Sequence, residues 1–515
     1  MGPVLIGSVV ILLLIVYKLR NVGRRPADLP PGPPTIPILG NLHQMPTKKP
    51  HLQFKKWAEE YGPIYSLILG SSVTIVLSSD KTIKDLLDKR SNIYSDRPPL
   101  YIGQLLSDGL RMLLMPYSNR WRMIRGTVHN HLNIKAAKSY IPYQDLENRA
   151  MLLGILAQPD RWLDHLRRYT NSLTTQMVFG FRTADIDDAK MHQLYNLIDV
   201  FPFLRHAPEW LMPVKKRARK LHGKERDLYV GHWLDVKKRI LEDLANSQNS
   251  EQFSDALAGY ISGSMLEAGS DTTYCTLVGW VQAMLLFPDI AKQAQVEIER
   301  VCDNRLPILE DEPHMQYIRG CVKESMRWMP TAILGVPHAP IRDDFYEGYK
   351  IPKGASIIWN VWGVHNDENR FPDPRSFNPL RYASDFQTAA EAALNPDPTK
   401  RDHFLFGAGR RVCQGMHIAE RSMFLAIARI LWAFNIELAD DPVTGEKITP
   451  NADELTEGLL VLPKPFPAKF VVRSESRADA VLKAWGAVEE KLDGDGQWKR
   501  VPKGMFFKEY VPLTL

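Results

Sequence analysis

FGAGRRVCQG, residues 406–415, surrounds one of the four cysteines in this chain of 515 residues. A free cysteine is usually a small buried hydrophobe, and that interpretation suits Cys275, Cys302 and Cys321. Cys413 differs from them, because glycines lie on both sides of it and two arginines come shortly before it. A thiolate is a soft ligand for a metal ion, and glycine lets the backbone pass close to a flat group. The stretch therefore singles out Cys413 as the cysteine that is free to act as a thiolate ligand.

The same stretch resembles the haem-binding loop of the cytochrome P-450 family, Phe-x-x-Gly-x-Arg-x-Cys-x-Gly. All five specified positions match, and they are Phe406, Gly409, Arg411, Cys413 and Gly415. The resemblance implies a haem b cofactor whose iron is bound by the Cys413 thiolate, a ligand that favours cleavage of the O–O bond. It also implies that Arg411 meets a haem propionate and that Gly409 and Gly415 avoid a collision with the macrocycle. Gln414 replaces the proline that is common in the family.

Glu324-Ser325-Met326-Arg327 resembles the family's Glu-x-x-Arg motif, whose two charged residues share one face of a helix. In the family this pair binds an arginine of the proline-rich segment that follows, and Arg381 is the candidate here. Alone, such a pair is common on surface helices. Its place ahead of a proline-rich segment, in the family's order, predicts a buried network of Glu324, Arg327 and Arg381.

Four more residues are candidates for holding the haem propionates. Trp121 and Arg125 resemble a family helix whose Trp and second Arg reach a propionate. Arg97 and His338 lie where related microsomal members place propionate contacts. For Arg97 and His338, an ordinary surface charge and a hydrogen-bonded histidine are equally good interpretations.

AGSDTT, residues 268–273, lies in the middle of a long apolar segment and resembles the family's oxygen-activation motif. The resemblance implies that Ala268 and Gly269 make room for dioxygen, that Thr272 donates a hydrogen bond to it, and that Asp271 relays protons. A threonine hydroxyl can bond back to the preceding turn of a helix, and Gly weakens a helix. The alternative is a helix kink with a solvated Asp. An unpaired Asp is costly in a helix this apolar, which favours the functional interpretation.

Hydrophobic spacing predicts a strand hairpin in 60–80, mainly helices in 81–330, short strands in 340–360 and an irregular segment in 365–410. The individual helices predicted are a long buried one over Ser254–Phe287, an amphipathic one over Met315–Trp328 ended by Pro330, and further ones over Gly415–Phe434 and Arg477–Lys491.

VLIGSVVILLLIVY, residues 4–17, is followed by the cations Lys18, Arg20, Arg24 and Arg25. A helix over Met1–Leu19 would be about 28 Å long, close to the thickness of an endoplasmic reticulum bilayer. A cleaved signal peptide would carry its positive charges before the apolar run and a small-residue cleavage site after it. Neither feature is present. The positive-inside rule then predicts a single-pass anchor with the following domain in the cytosol.

The formal net charge is only +6 and no long basic run occurs, which argues against a nucleic-acid partner. Four cysteines without paired spacing also exclude a disulfide scaffold or a zinc knuckle. We predict an anchor over 1–25, a proline-rich hinge over 26–50, a haem-thiolate monooxygenase domain over 51–473, and a carboxyl-terminal extension over 474–515.

The resemblance covers residues 30–472 and implies a mainly α fold with a small β region, with haem between the central long helix and the cysteine loop. It implies a monooxygenase that uses O2 and NADPH electrons delivered by a membrane-bound reductase, with cytochrome b5 as a further candidate donor. Two alternatives are open: a haem-thiolate isomerase or dehydratase that does not use O2, and a haem-binding sensor. Asp271 and Thr272 argue against the isomerase, which would normally lack such a pair.

GMHIAER, residues 415–421, and the tail look most like filamentous-fungal biosynthetic members of the family. By that analogy the substrate is an apolar small molecule of secondary metabolism. Its contacts are expected from 100–115, Ala268, Ile333-Leu334 and Leu459–Val461.

Overall fold

The computed structural model describes residues 22–188, 213–237, 248 and 253–502. These residues belong to two compact units, each built from several segments of the chain. The first unit comprises described residues of Met1–Pro99, Ala332–Pro374 and Asn395–Val412, and the second those of Leu100–Thr331, Arg375–Leu394 and Cys413–Leu515. The predicted anchor over 1–25 lies outside the described residues, except for its last four.

The described α-helices run in this order: α1 (Pro50–Tyr61), α2 (Asp80–Ile83), α3 (Ser91–Tyr94), α4 (Tyr101–Ser107), α5 (Asn119–Leu132), α6 (Ile134–Ser139), α7 (Ile141–Ala157), α8 (Trp162–Phe179), α9 (Pro213–Lys237), α10 (Asp255–Leu286), α11 (Pro288–Cys302), α12 (Gln316–Trp328), α13 (Val361–His365), α14 (Ala389–Leu394), α15 (Met416–Ala433) and α16 (Glu475–Glu489). The strands are β1 (Ile64–Leu69), β2 (Ser72–Leu77), β3 (Asp344–Tyr346), β4 (Tyr349–Ile351), β5 (Ser356–Trp359), β6 (Phe434–Leu438) and β7 (Ala468–Val472).

The first unit contains a small sheet with the strand order β1-β2-β5. β1 and β2 pair antiparallel, β5 joins β2 in parallel, and β3 and β4 form a separate hairpin. Gly70, in the turn between β1 and β2, has a φ of +65°, a conformation that glycine adopts without strain. The predicted hairpin in 60–80 and the predicted strands in 340–360 are confirmed.

Among the described residues of the second unit, the regular elements are helices apart from β6 and β7, and the central element is α10. Ser254 caps this helix by accepting a hydrogen bond from the Leu257 N–H at 3.2 Å, and Pro288 begins the next helix at a 105° bend. α10 is buried along most of its length, as its continuous apolar sequence predicts. The predicted helices over Met315–Trp328 and Gly415–Phe434 are confirmed within one residue at each end.

The region after residue 473 packs on the second unit as far as Trp498. Ser474 caps α16, so this helix begins two residues before the predicted start at Arg477. Beyond the helix, Leu492 pairs with Trp498, and both side chains join the main hydrophobic cluster of this unit. Whether 474–515 is a separate domain stays a prediction. The described part of it is nevertheless an integral layer of the second unit.

Within the described residues, no single helix is both long and apolar enough to cross a membrane. Only the bent pair of α10 and α11 passes a test of length and composition, and α10 is mostly buried inside its unit.

Candidate active site

The part of the cysteine loop that precedes Val412 lies in the first unit and is held by buried polar groups. Arg401 is only 1% exposed, donates to the carbonyls of His403 (3.1 Å) and Gly407, and lies over the Phe404 ring at 4.4 Å. Phe406 packs edge-to-face on the His403 ring, with 5.1 Å between centroids. The sequence analysis missed Arg401, since nothing in its own spacing distinguishes it from a surface arginine.

Gly409 is required by its neighbours in the first unit. Its φ is +61°, and a Cβ there would lie 2.0 Å from the Leu87 carbonyl oxygen. Its N–H donates to the Asp88 carboxylate. The sequence analysis expected this glycine to give room to a macrocycle. The described contacts show that it also permits close packing against the turn that follows α2, and the room for a macrocycle stays a prediction.

Cys413 begins the last segment of the second unit, three residues ahead of α15. The side chain is half-buried, and a Cβ at Gly415 would lie 4.0 Å from its sulfur. Burial raises the pKa of the Cys413 thiol, while the Gly415 N–H and the Arg125 guanidinium lower it. The helix that the sequence predicts immediately after the cysteine is present. Its first turn and Arg125 therefore supply positive charge to a thiolate at this position.

Trp121 and Arg125 lie together on α5. The Arg125 guanidinium is 5.8 Å from the centre of the Trp121 ring, which is 3% exposed. Burial lowers the pKa of Arg125 to about 10, and Cys413 partly offsets this effect. Gln414 donates to the Arg125 carbonyl at 3.0 Å. Gln414, which replaces the proline that is common in the family, thus links the chain next to Cys413 to α5.

Three of the candidates for propionate contacts lie in the first unit. The first and the last of them, Arg97 and Arg411, are 314 positions apart in sequence. Arg97 donates to the carbonyls of Val336 and Pro337 at 2.7 and 2.6 Å, and Arg411 donates to the Ser95 carbonyl at 2.9 Å. His338 is 1% exposed and its Nδ1 lies 2.7 Å from the Tyr94 carbonyl oxygen.

Burial, together with the nearby charges of Arg97 and Arg411, lowers the pKa of His338 well below its usual range. Burial is the larger cause of this shift, and the two arginines that add to it make the site locally positive. Such a site attracts an anionic group.

The predicted oxygen-activation turn lies at the middle of α10. Ala268 is exposed and Thr272 is half-buried, although most of this helix is buried. The Thr272 hydroxyl donates to the Ala268 carbonyl at 2.5 Å, the backward bond that the sequence predicts. Burial raises the pKa of Asp271 to about 6, Arg167 lowers it, and Glu267 raises it. A carboxyl with this pKa can both bind and release a proton near neutral pH.

The other side of the same turn is tightly packed on α8. A Cβ at Gly269 would lie 2.8 Å from the Thr174 hydroxyl oxygen, and Asn171 donates to the Ser270 hydroxyl at 3.2 Å. The sequence analysis expected Gly269 to open the helix for dioxygen. Its described neighbour is α8, so this glycine permits close approach of two helices.

Glu324, Arg327 and Arg381 are brought together in the second unit. Glu324 and Arg327 are fully buried, and two hydrogen bonds of 2.6 and 2.7 Å join them. Arg381 donates to the same carboxylate at 3.2 Å, as do the Tyr382 hydroxyl at 3.2 Å and the Asn378 N–H at 2.9 Å. A carboxylate with five donors and two cations is well compensated for its burial.

Comparison with known proteins identifies the family. A family model described as Cytochrome P450 matches residues 30–470. The chain is 51% identical to Cytochrome P450 monooxygenase virE of Hypocrea virens, over 98% of this chain and 96% of that one. It is 48% identical to Cytochrome P450 monooxygenase fogE of Aspergillus ruber, over 98% of both chains.

The chain belongs to the cytochrome P450 family. It is therefore a haem-thiolate monooxygenase, an oxidoreductase whose cofactor is haem with a thiolate-ligated iron. Cytochrome P450 monooxygenases generally take electrons from a partner reductase and bind small molecules. The family and function predicted from the sequence are confirmed, and the isomerase and sensor alternatives are not favoured.

Solved structures confirm the P450 fold. A zebrafish cytochrome P450 with abiraterone aligns with a TM-score of 0.68 at 22% identity, over 82% of this chain and all of that chain. A second zebrafish structure, with progesterone, aligns with a TM-score of 0.70 at 21% identity, over 82% of this chain and 99% of that chain. At this identity the likeness concerns the fold alone.

The described residues of this P450 fit a haem group. In the first unit, the His338 Nε2 atom is buried and has no hydrogen-bond partner in the part of the chain that the structure describes. A propionate there would balance the charge of Arg97 and Arg411, and its negative charge would favour protonation of Nε2, which could then donate a hydrogen bond to it. In the second unit, Cys413 offers a half-buried sulfur beside Arg125, and α10 exposes Ala268.

One further polar cluster near this turn of the P450 was missed by the sequence analysis. Arg111 bridges two carboxylates, with 2.6 Å to Glu225 and 3.0 Å to Glu267, and the Tyr229 hydroxyl donates to Glu267. Burial raises the pKa of Glu225 to about 7, although Arg111 lowers it. These residues come from three distant segments, so no local spacing could reveal them.

Proposed function

We propose that Cys413 is the axial ligand of the haem iron and that Asp271 and Thr272 handle protons in the oxygenation of an apolar small molecule. The observation that carries this proposal is that the Gly415 N–H and the Arg125 guanidinium both interact with the Cys413 sulfur, just ahead of α15. Haem, when bound, supplies the iron at which dioxygen is activated. In the first unit, Arg97, His338 and Arg411 are the candidates for a propionate contact. In the second unit, Trp121 and Arg125 are the candidates. Phe406, Gly409 and Gly415 would shape the loop around the ligand.

The protein's own contribution to the chemistry is proton handling on α10. Thr272 uses its only hydroxyl proton on the Ala268 carbonyl. A rotation about its Cα–Cβ bond would free that proton for a hydrogen bond to a group in front of Ala268. Asp271 can take up a proton from solvent and release it, since its pKa is about 6. Burial is the main reason for this raised pKa, and Glu267 adds to it by favouring the neutral form, whereas Arg167 favours the charged form.

For the substrate we propose an apolar small molecule of fungal secondary metabolism, oxidised with electrons from an NADPH–cytochrome reductase. Cytochrome b5 is a further candidate donor. The apolar character of the substrate is supported by exposed apolar side chains in the segments of the second unit that are predicted to contact it. Leu113 and Leu459 are two of them. The names of the relatives add only that they are monooxygenases of filamentous fungi.

We also propose that residues 1–25 anchor the chain in the endoplasmic reticulum membrane with the catalytic domain in the cytosol. The apolar run over 4–17 and the cations behind it support this orientation. Exposed apolar side chains in the hinge, at Ile36, Ile38 and Leu39, would suit contact with a lipid surface.

The hinge itself is rigidly attached to the first unit. Arg25 donates to the carbonyls of Gly32 and Pro33 at 2.8 Å each and to the Ser66 hydroxyl at 2.9 Å. An anchor that ends at Arg25 would therefore be joined to the folded unit without a flexible linker.

The ligand is tested by Cys413→Ser in the full-length protein produced with a reductase. We expect loss of the thiolate-type red shift of the reduced carbon monoxide complex. Cys275→Ser on α10 is the matched control and should keep the red shift. A red shift that survives in the Cys413 variant would remove the proposal.

The membrane arrangement is tested by deletion of residues 1–25 and by a glycosylation tag. The deletion should release the protein from microsomes, and a tag at the amino terminus of the intact chain should be glycosylated in the lumen. Glycosylation only of a tag placed after residue 30 would show the opposite orientation.

A further inference from the structure

The carboxyl-terminal extension is connected to the oxygen-activation turn of α10 through a series of buried hydrogen bonds. Its end nearest the core is Trp498, which is 7% exposed and packs 6.1 Å from the Tyr143 ring. The indole N–H of Trp498 donates to the Gln176 side chain on α8 at 2.7 Å. The extension therefore makes both an apolar and a polar contact inside the second unit.

The neighbouring residues of the extension hold Arg182. The Arg182 guanidinium donates to the Gly496 carbonyl at 2.6 Å, and its backbone N–H donates to the Gln497 side chain at 2.7 Å. Gln497 donates back to the Arg182 carbonyl at 3.0 Å. These three bonds fix both the backbone and the side chain of Arg182.

Arg182 continues into a buried ion cluster around Glu147. This carboxylate is fully buried and accepts from Arg182 at 2.5 Å, from Arg168 at 2.5 Å and from Gln176 at 2.7 Å. Burial alone would raise the pKa of Glu147, but the two arginines hold it below its usual range. Charges buried in this way tolerate little displacement, since a lost partner leaves an uncompensated charge.

Thr183, the residue after Arg182, continues the series of hydrogen bonds toward α10. Thr183 donates from its hydroxyl to the Asn171 side chain at 2.9 Å and from its N–H to the Ser172 hydroxyl at 3.0 Å. Asn171 in turn donates to Ser270 at 3.2 Å. Asn171 and Thr183 are fully buried, and Ser270 is 4% exposed. Water therefore has little access to replace these bonds.

Ser270 lies directly before Asp271 and Thr272, in a turn where a threonine hydroxyl competes for the Ala268 carbonyl. Such a competing bond weakens a helix locally. The side of the turn next to α8 has no spare room, because a Cβ at Gly269 would press on Thr174. The hydrogen bond from Asn171 thus restrains a turn that is otherwise soft, and it does so from α8.

We infer that residues 492–498 are a positioning element for the oxygen-activation turn and that they act through Arg182, Thr183, Asn171 and Ser270. This inference rests on the proposed function of Asp271 and Thr272. A role limited to overall stability is the rival explanation, and local measurements separate the two.

The test compares full-length variants by hydrogen–deuterium exchange of the peptide covering 266–276. Ser270→Ala removes the last hydrogen bond of the series. Gln497→Ala removes the hydrogen bonds at the opposite end, and the Gln497 side chain is half-buried. We expect exchange in this peptide to rise about five- to tenfold in both, the effect of one buried hydrogen bond. Ser262→Ala is the matched control on α10, because its hydroxyl has no hydrogen-bond partner in the described residues.

The second readout is the fraction of NADPH electrons recovered as hydrogen peroxide in reductase-supported turnover. This fraction should rise at least twofold in the Ser270 and Gln497 variants and stay at the wild-type level in the Ser262 variant. If Gln497→Ala leaves exchange in 266–276 unchanged, the extension does not position the turn. Faster exchange without more peroxide would equally overturn the inference. The proposed function fails on a different result, a Thr272→Ala variant that keeps normal coupling.

Discussion

Replacement of Glu324 by alanine should be among the most damaging single changes to the second unit outside its hydrophobic core. The carboxylate is fully buried and accepts five hydrogen bonds, two of them from Arg327. After its removal the Arg327 guanidinium would stay fully buried without a carboxylate partner, with neutral groups such as the Ser376 carbonyl at 3.4 Å beside it. Breaking a buried ion pair in this way costs about 3–5 kcal/mol.

The geometry also ranks the variants. Arg327→Ala removes the better paired cation and should approach the cost of Glu324→Ala. Arg381→Ala should cost about 1–2 kcal/mol, because Arg381 is partly exposed and its 3.2 Å bond to the carboxylate is longer than those from Arg327. Glu59→Ala is the control. Its pair with Lys55 is exposed, and such pairs contribute at most about 1 kcal/mol.

The assay is the free energy of unfolding by urea, followed through tryptophan fluorescence and through retained haem absorbance. The double variant Glu324→Ala with Arg327→Ala makes this assay more specific for the ion pair. Removal of both partners should cost less than the sum of the single changes, because no uncompensated charge then remains. Equal losses in Glu324→Ala and Glu59→Ala, with normal haem content in both, would refute the reasoning.

Three further predictions concern pH, the cysteine loop and proton delivery. Glu225 has a pKa raised from 4.5 to about 7, so the folded protein binds the extra proton between these values. The free energy of unfolding should fall by about 3 kcal/mol as the pH rises through this window, and Glu225→Gln should flatten that part of the profile measured by urea titration. Gly409→Ala should lower stability and haem content well beyond Gly445→Ala, since both have a positive φ but only Gly409 faces a backbone clash. Thr272→Ala should keep haem but divert NADPH electrons to hydrogen peroxide, whereas Asp271→Asn should slow turnover about 10²–10⁴-fold and raise the solvent isotope effect. Wild-type coupling in both of these last variants would remove their proposed roles.

The sequence predicted well the features that rest on local spacing. The long apolar run of α10, the helix after Cys413 and the hairpin of β1 and β2 each follow from a periodic pattern within a single segment. The order of the family's motifs along the chain also predicted one tertiary contact, that of Arg381 with Glu324. This contact could be predicted without the structure because the motifs follow one another in the family's order.

The features that the sequence could not predict are contacts between distant segments without a motif. Asn171 and Ser270 are 99 residues apart, and each looks like an ordinary polar residue in a helix. Arg401 and Gln414 support the cysteine loop through backbone carbonyls, which carry no sequence signal. Their roles depend on which chain segment folds against them, and single-segment patterns do not contain that information.

Gly269 shows how a correctly recognised motif can be given an incomplete physical reason. The motif suggested that this glycine opens α10 toward dioxygen, whereas a Cβ at this position would meet Thr174 of α8. The exposed residue of the turn is Ala268, one position earlier, where a helix presents a different face. The turn therefore has two sides with different requirements. One side is open beside Thr272 and the other is packed against α8, and the proposed roles of Asp271 and Thr272 would depend on both.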